Sequence, residues 1–247
     1  MVKLRWGAGA WLCAVVLSLA AQPSALGADV PSSSRAGVIA GFIRIAGEIP
    51  KPSQPEITKS KDVCKDVPDE TLVIGPGNGV RYAVVTLKGA PTGAAAEGAD
   101  ATSELDNAGC RFVPHVQVMG VDQFLLLKNT DPILHTAHAL FHGGQPQFNV
   151  GLYPGRAVRK PMVAPGVVKI VCEVHPWMSA YVVVTDQPYH AVTDVYGEYQ
   201  IRDVPPGTYQ LEVWHELLGT RVQKVEVKAG ETSKVDFTLS SSQGAGQ

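Results

Sequence analysis

The stretch of sequence that decides the fold reads Cys172-Glu173-Val174-His175-Pro176-Trp177-Met178. It follows a mostly apolar run at residues 167–171 and precedes a valine-rich run at residues 180–184. It is therefore predicted to form the turn between two strands. The stretch offers a thiol, an imidazole and a thioether, which together suit a copper ion that cycles between two oxidation states. Such a site needs a second imidazole, and His135 can supply it.

The pattern Cys-x-x-His-Pro-aromatic-Met before a valine-rich strand resembles the amicyanin branch of the cupredoxins. The upstream stretch 134–141 resembles the first-histidine segment of that branch, and the similarity covers residues 80–187. Leu134 and Thr136 stand where the family usually has Pro and Asn. The resemblance implies a Greek-key β-sandwich that binds one copper ion, as Cu(I) or Cu(II).

The resemblance and the donor chemistry also imply a role for each ligand. Cys172 as a thiolate would donate most covalently, His135 and His175 would complete a trigonal plane, and Met178 would lie axial at a longer distance. The alternative is a core thiol, a surface imidazole and a core methionine. That alternative requires three donor types to share one short loop by coincidence.

Two further histidines are reserve candidates for metal binding. In the family, the histidine three residues after the first ligand does not bind copper. Residues three apart on a strand also face opposite sides, so His138 is expected outside the ligand set or at the surface. His115 alternates out of phase with its apolar neighbours, and it is expected to pack or to form hydrogen bonds instead of ligating.

Three residues are expected to support the site without binding the metal. Asn129 is predicted to fix the first-histidine loop through side-chain to backbone hydrogen bonds. Because Thr136 replaces the usual Asn, hydrogen bonding around the ligands is expected to depart from the family pattern. Trp177 lies between two ligands and has two interpretations: an exposed patch where a redox partner docks, or packing against the adjacent loop.

The cysteine count points to the same site. Besides Cys13 near the N-terminus, the chain has Cys64, Cys110 and Cys172. An exported protein with an odd number of cysteines must account for the unpaired thiol. The economical solution is a disulfide between Cys64 and Cys110, which leaves Cys172 for a metal. The alternative is a buried, inert thiol, which would be unprotected in an oxidising compartment.

The N-terminal residues 1–27 are predicted to be a cleavable signal peptide. Lys3 and Arg5 precede an apolar run at residues 8–21, and small residues place the cleavage near Gly27/Ala28. The run is too short for a transmembrane anchor, so a periplasmic or secreted protein is expected. Removing the two bases changes the formal net charge from −2 to −4, which argues against nucleic acid as a partner.

The rest of the chain is predicted to be all-β, because no segment shows sustained helical periodicity. After Asp186 the character of the sequence changes. The stretches Thr-Asp-x-x-Gly-x-Tyr at residues 193–199 and Pro-Pro-Gly-x-Tyr at residues 205–209 resemble the carboxypeptidase regulatory-like (transthyretin-like) β-sandwich. These motifs indicate a fold but not a function, because they consist of turn residues and core aromatics.

The predicted organisation has four parts. These are the signal peptide 1–27, a copper domain 36–187 with its core at 80–187, a smaller β-sandwich 188–240 and a flexible tail 241–247. The segment 188–240 is short for a whole sandwich. Pairing with a strand at residues 37–45 would complete it and would make the copper domain an insertion.

These features favour an exported electron carrier that exchanges single electrons with a redox partner protein whose identity the sequence does not give. Two alternatives remain open: a non-redox β-sandwich protein that binds a carbohydrate or a protein, and a protein for periplasmic copper delivery or storage. An enzyme is not expected. His215 and Glu216 begin like a zinc-protease motif, but the second histidine of that motif is absent.

Overall fold

The computed structural model describes residues 35–51, 54–91 and 101–241. The predicted signal peptide with its cleavage site, and residues 242–247 of the predicted tail, lie outside these ranges. Within the described part of the chain, no helix has the length and apolarity needed to cross a membrane.

The described residues form β-strands joined by loops and two short 3-10 turns. In chain order the strands are β1 (Gly37–Ile45), β2 (Val84–Lys88), β3 (Thr102–Asn107), β4 (Phe112–Val113), β5 (Val116–Gly120), β6 (Phe124–Asn129), β7 (His135–Phe141), β8 (Gln145–Leu152), β9 (Ala157–Pro161), β10 (Gly166–Val171), β11 (Ser179–Thr185), β12 (His190–Val192), β13 (Glu198–Val204), β14 (Gly207–His215), β15 (Gly219–Val227), β16 (Thr232–Lys234) and β17 (Phe237–Leu239). The predicted all-β class is confirmed.

The strands β3 to β11 form a first β-sandwich. One sheet has the order β5-β11-β10-β7-β8 and the other the order β4-β3-β6-β9. Alternate residues point inward between the sheets, as period-two patterning requires. In β6 these are Leu125 and Leu127, and in β10 they are Val168 and Ile170, all fully buried. They share one hydrophobic cluster with Cys172 and with Met178 of the predicted metal loop.

The register of three strands of this sandwich determines where the metal loop lies. The strands β10 and β11 are antiparallel, with Val171 opposite Ser179, so residues 172–178 connect their ends. On the other side of β10 lies β7, with His138 opposite Val171. Because β7 and β10 run antiparallel, the first residue of β7, His135, lies beside the connection and not beside β10.

The remaining strands form a second β-sandwich. In one sheet β1 pairs with β13 antiparallel and with β16 and β17 in parallel. The other sheet has the order β12-β2-β14-β15. The segment after residue 187 therefore forms a sandwich only with two strands from earlier in the chain, β1 and β2. The strands of the first sandwich are inserted between β2 and β12.

The position of β2 corrects the sequence analysis, which placed residues 80–88 in the core of the copper domain. Its register runs along β14, with Val85 opposite Val213 and Leu87 opposite Leu211, and these four residues belong to the second core. Four consecutive residues of β2 are buried, so no alternation in the sequence indicates which sandwich it joins. The strands of the first sandwich begin with β3.

A buried contact joins the two sandwiches. His115, in the loop between β4 and β5, forms an ion pair with Glu216, which follows β14, and both side chains are buried. The Nδ1–H of the same ring donates to the carbonyl of Ser179, at 3.1 Å. Tyr181 of β11 packs its ring 5.4 Å from that of Trp214 in β14. Aromatic and polar contacts thus fasten the second sandwich to the first.

We predict that Gly41→Ala destabilises the second sandwich. A Cβ at Gly41 in β1 would lie 1.9 Å from the carbonyl oxygen of Val235, and backbone atoms cannot move away cheaply. The free energy of unfolding should fall by about 1 to 3 kcal/mol, measured by urea denaturation. Gly151→Ala is the control, because nothing lies within 4 Å of its added Cβ. Equal effects of the two substitutions would contradict the prediction.

We also predict a loss of stability at acid pH that depends on His215. Burial, and then the nearby charge of His115, lower the pKa of His215 from 6.5 to about 4. Between these values the unfolded chain binds a proton and the folded chain does not. The free energy of unfolding should therefore decrease by up to roughly 3 kcal/mol as the pH falls through this window. The free energy of unfolding of His215→Gln, measured by urea denaturation, should depend less on pH than that of the wild type. An unchanged pH dependence would show that His215 is not its cause.

Candidate metal centre

The structure brings together His135, Cys172 and His175. Their donor atoms all lie within 4.8 Å of one another. The Cys172 Sγ is 3.9 Å from the His135 Nδ1 and 3.7 Å from the His175 Nδ1, and the two Nδ1 atoms are 3.0 Å apart. The three residues are buried, with exposed fractions of 0% for both histidines and 2% for the cysteine.

The size of this triangle fits a single transition-metal ion. Metal–nitrogen and metal–sulfur bonds in proteins are about 2.0 to 2.3 Å long. A point equidistant from three atoms with these separations, in their own plane, lies about 2.1 Å from each, within that bond range. One thiolate and two imidazoles form a donor set that suits copper or zinc and not a hard cation such as magnesium.

Hydrogen bonds at the far side of each ring determine which nitrogen faces the triangle. The His135 Nε2 lies 3.0 Å from the carboxylate of Asp131, and the His175 Nε2 lies 3.2 Å from the hydroxyl oxygen of Ser60. When each Nε2 carries the hydrogen and donates it outward, each Nδ1 has a free lone pair directed at the triangle. Both rings are therefore oriented for binding a metal through Nδ1.

Asp131 connects His135 to the turn that follows β3, at Gly109 and Cys110. Besides the imidazole, its carboxylate accepts hydrogen bonds from the backbone N–H groups of Gly109 at 2.7 Å and Cys110 at 2.8 Å. These three partners compensate a buried negative charge, which would otherwise be costly to desolvate. Asn129 holds the loop between β6 and β7, because its amide donates to the carbonyls of Ile133 and Leu152.

The sulfur of Cys172 accepts hydrogen bonds from the strand that carries His135. The backbone N–H of Thr136 donates to Sγ at 3.3 Å and its hydroxyl at 3.7 Å. The same hydroxyl oxygen accepts from the N–H of Glu173. Burial alone would raise the pKa of the Cys172 thiol, but hydrogen bonds involving His135, Thr136 and the His175 backbone bring it below its ordinary value. The site therefore favours the thiolate, which is the form that binds metals.

The second imidazole is neutral at physiological pH. Burial is the main cause that lowers the pKa of His175 to about 4. The nearby positive charges of His135 and Lys59 lower it further, and Asp131 opposes them. A neutral imidazole can offer its Nδ1 lone pair without first losing a proton.

The loop 172–178 is a compact turn. The N–H of Cys172 donates to the carbonyl of Met178 at 3.2 Å, and the N–H of Met178 donates to the carbonyl of His175 at 3.0 Å. Met178 is buried, with 2% of its surface exposed, in the same cluster as Cys172. The turn thus places the side chain of Met178, the predicted thioether ligand, in the core close in sequence to the two other predicted ligands of the loop.

Trp177 packs inside this part of the molecule. Its ring centroid lies 5.1 Å from that of His175, and its indole N–H donates to the carbonyl of Cys110 at 3.2 Å. It contacts the cluster formed by Cys64, Cys110 and Val67. Trp177 thus packs against an adjacent loop, but its side chain is only half-buried, and its role in docking a redox partner stays a prediction.

The two reserve histidines lie apart from the triangle. His138 points to the other face of β7 and forms an ion pair with Glu173, with 2.9 Å between the His138 Nδ1 and the carboxylate. His115 forms an ion pair with Glu216 at the junction of the sandwiches. Among the described residues, the triangle is the group of histidine, cysteine and acidic donors that could hold a metal ion.

The predicted disulfide between Cys64 and Cys110 is confirmed. Cys172 is the free cysteine of the described residues, and it is buried. Disulfides persist in oxidising compartments, so the bond indicates a protein that resides outside the cytoplasm.

Two residues at the site escaped the sequence analysis. Asp131 lies four residues before His135, and a carboxylate near a candidate ligand was a signal that could have suggested an outer partner. Ser60 gave no such signal, because 115 positions separate it from His175 and it lies in a loop of polar and proline residues. Only the folded chain brings its hydroxyl to the imidazole.

Comparisons with known proteins gave a family match and several similar structures. The family model of the carboxypeptidase regulatory-like domain matches residues 175–240, and the search of curated proteins found no match. A purple cupredoxin from Nitrosopumilus maritimus is 21% identical, over 34% of this chain and 99% of that one, with a TM-score of 0.31. A copper-containing nitrite reductase from Thermus scotoductus SA-01 is 23% identical, over 34% of this chain and only 22% of that one, with a TM-score of 0.32. A reduced Cu(I) form of an amicyanin variant at pH 4 is 21% identical, over 41% of this chain and 98% of that one, with a TM-score of 0.32.

We predict that Asp131→Asn weakens metal binding at this site. The substitution removes the charge that orients His135, and the loss of such an outer partner costs about 10- to 100-fold in metal affinity. Titration with cobalt(II), followed by visible absorbance, measures the affinity. Asp106→Asn is a matched control, because Asp106 also accepts from a backbone N–H, that of Thr130, but contacts no member of the triangle. Equal affinities of wild type and Asp131→Asn would contradict the prediction.

Proposed function

We propose that this protein is an exported copper protein that carries single electrons between partner proteins. The observation that supports this proposal best is the buried triangle of one thiolate sulfur and two outward-hydrogen-bonded imidazoles. In this proposal His135, Cys172 and His175 hold the ion and the thioether of Met178 completes the set. Bound copper would supply a one-electron couple between Cu(I) and Cu(II).

The chain's own residues favour electron transfer because they keep the ligands fixed. Each imidazole is held at Nε2 by a protein oxygen, and the sulfur is held by the N–H of Thr136. Ligands fixed in this way would move little between oxidation states. Their burial also keeps water and small molecules from the site, which suits a carrier and not an enzyme that must admit a substrate.

A groove between the sandwiches favours a second candidate function, the binding of a carbohydrate or protein ligand. It has a volume of about 670 Å³, within the range of ligand sites, which often lie between domains. Tyr181 and Trp214 line it together with Lys169, Glu212 and Thr185. In this case the metal would be structural, and ligand binding would persist after the metal is removed.

Copper titration of the purified protein tests the leading proposal. The wild type should develop an intense visible band from thiolate-to-copper charge transfer, and Cys172→Ser should lose it. His135→Gln should lose it as well, whereas His138→Gln is the matched control and should keep it, because His138 faces away from the triangle. Absence of the band from the wild type would refute the proposed copper site.

Voltammetry separates the carrier from the non-redox alternative. The copper-loaded protein should give a reversible one-electron wave, and Cys172→Ser should not. A wild-type protein that binds one equivalent of metal without such a wave would instead support the structural role. Retention of groove ligands by metal-free protein would then identify the binding function.

A further inference from the structure

The donor triangle is covered by a segment from outside the β-sandwich that holds it. Cys172 and His175 of the triangle lie in a loop, and His135 lies at the start of β7. Such positions at the end of a sandwich commonly face solvent. The three residues are nevertheless buried, with His175 fully enclosed. The described residues 54–70, called here the cover, contribute Ser60, whose hydroxyl oxygen lies 3.2 Å from the His175 Nε2.

The cover is fastened at two points. The disulfide between Cys64 and Cys110 joins its middle to the turn that follows β3. At its end, the carboxylate of Glu70 accepts from the hydroxyl of Tyr82 at 3.0 Å and pairs with Arg111 at 3.3 Å. The segment is therefore held over the triangle by a covalent bond and by a partly buried polar contact.

An apolar cluster fills the space beneath the cover. Ile57, Val63 and Val67 of the cover pack with the disulfide and with Trp177, whose ring lies beside that of His175 at an interplanar angle of 52°. The cover therefore closes the edge of the triangle at His175 with side chains that exclude water. Ile133, two residues before His135, joins the same cluster.

Ser60 has an unusual backbone conformation. Its φ is 50°, in the left-handed region that residues with a Cβ rarely adopt. Its carbonyl accepts from the N–H groups of both Val63 and Cys64, at 2.9 Å and 2.7 Å. The turn that leads into the disulfide thus fixes this strained residue, and strain of this kind is typically found where a side chain must be placed for function.

Both imidazoles are tied to the same corner of the chain. Asp131 links His135 to the N–H groups of Gly109 and Cys110. From Cys110 the disulfide leads to Cys64, and the turn before Cys64 places Ser60 on His175. Breaking the disulfide would therefore affect the hydrogen bonds at the Nε2 atoms of both His135 and His175.

We propose that Ser60 is a positioning residue for His175, and that the disulfide-fastened cover 54–70 keeps the donor triangle closed to solvent and small reagents. The positioning of His175 and the closure by the cover do not depend on the proposed function. The proposal rests on that function only in treating His135, Cys172 and His175 as copper ligands. With the cover in place, a redox partner would not reach the imidazole edge of His175 directly.

The experiment measures how fast iodoacetamide alkylates Cys172 in the full chain after metal has been removed by a chelator. Mass spectrometry of the peptide that contains Cys172 gives the rate. Ser60→Gly is the main variant, because glycine tolerates a φ of 50° and removes the hydroxymethyl side chain without adding backbone strain. Its rate should exceed that of the wild type by about two- to tenfold, as expected when an opening equilibrium loses one hydrogen bond.

A second variant and a control sharpen the result. The double substitution Cys64→Ser with Cys110→Ser releases the cover and should accelerate the alkylation of Cys172 further. Ser233→Ala is the matched control, because it removes a serine hydroxyl that bonds the carbonyl of Glu226 in the second sandwich. Its rate should equal that of the wild type. Equal rates in Ser60→Gly and the wild type, or equal acceleration by Ser233→Ala, would overturn the proposal.

A spectroscopic measurement distinguishes positioning from general loosening. In spectra of metal-free protein with nitrogen-15-labelled histidine, Ser60→Gly should shift the ring signals of His175 and leave those of His215 unchanged. Shifts in both rings, or in neither, would contradict a positioning role. Neither measurement needs copper, so the two proposals can fail separately. If Ser60→Gly accelerates alkylation of Cys172 but the wild type gives no copper band, only the proposed function is refuted. If the wild type gives the band but Ser60→Gly alkylates at the wild-type rate, only the cover is refuted.

Discussion

The buried carboxylate of Asp131 is the constraint on which this site depends. A negative charge removed from water is tolerated only if protein donors surround it. Here the donors come from two separate parts of the chain, the N–H groups of Gly109 and Cys110 and the imidazole of His135. Satisfying this one charge fixes the first histidine, and it also fixes the corner to which the disulfide attaches.

The chemistry of the donor triangle follows from this outer layer of hydrogen bonds. Two imidazoles and a thiolate placed within bonding distance of one point would not stay together without support, because each side chain could rotate away. Asp131, Ser60 and Thr136 each hold one donor residue from outside. The site is thus ready for a metal through the protein's own contacts, which is the condition that a carrier requires and that a flexible exchange site would lack.

The two sandwiches also depend on each other. The first is inserted in the chain between β2 and β12 of the second. The second sandwich can therefore form only when the first brings the two ends of the insertion together. The buried pair of His115 and Glu216 and the packed rings of Tyr181 and Trp214 hold them in contact. The groove that they form belongs to neither sandwich alone, because residues of both line it.

The sequence by itself determined the local chemistry of this protein. The spacing of Cys172, His175 and Met178 predicted a donor loop between two strands, because it depends on residue type and on short separations. The odd cysteine count predicted the disulfide from residue type and number alone, although 46 positions separate its two cysteines. The tertiary structure decided the rest. The partner sheet of β2 could not be predicted, because its buried residues show no alternation. Ser60, and the N–H groups of Gly109 and Cys110 that hold Asp131, reached the site only when distant loops met there. Contacts of that kind depend on which surfaces pack together, and no local pattern in the chain records them.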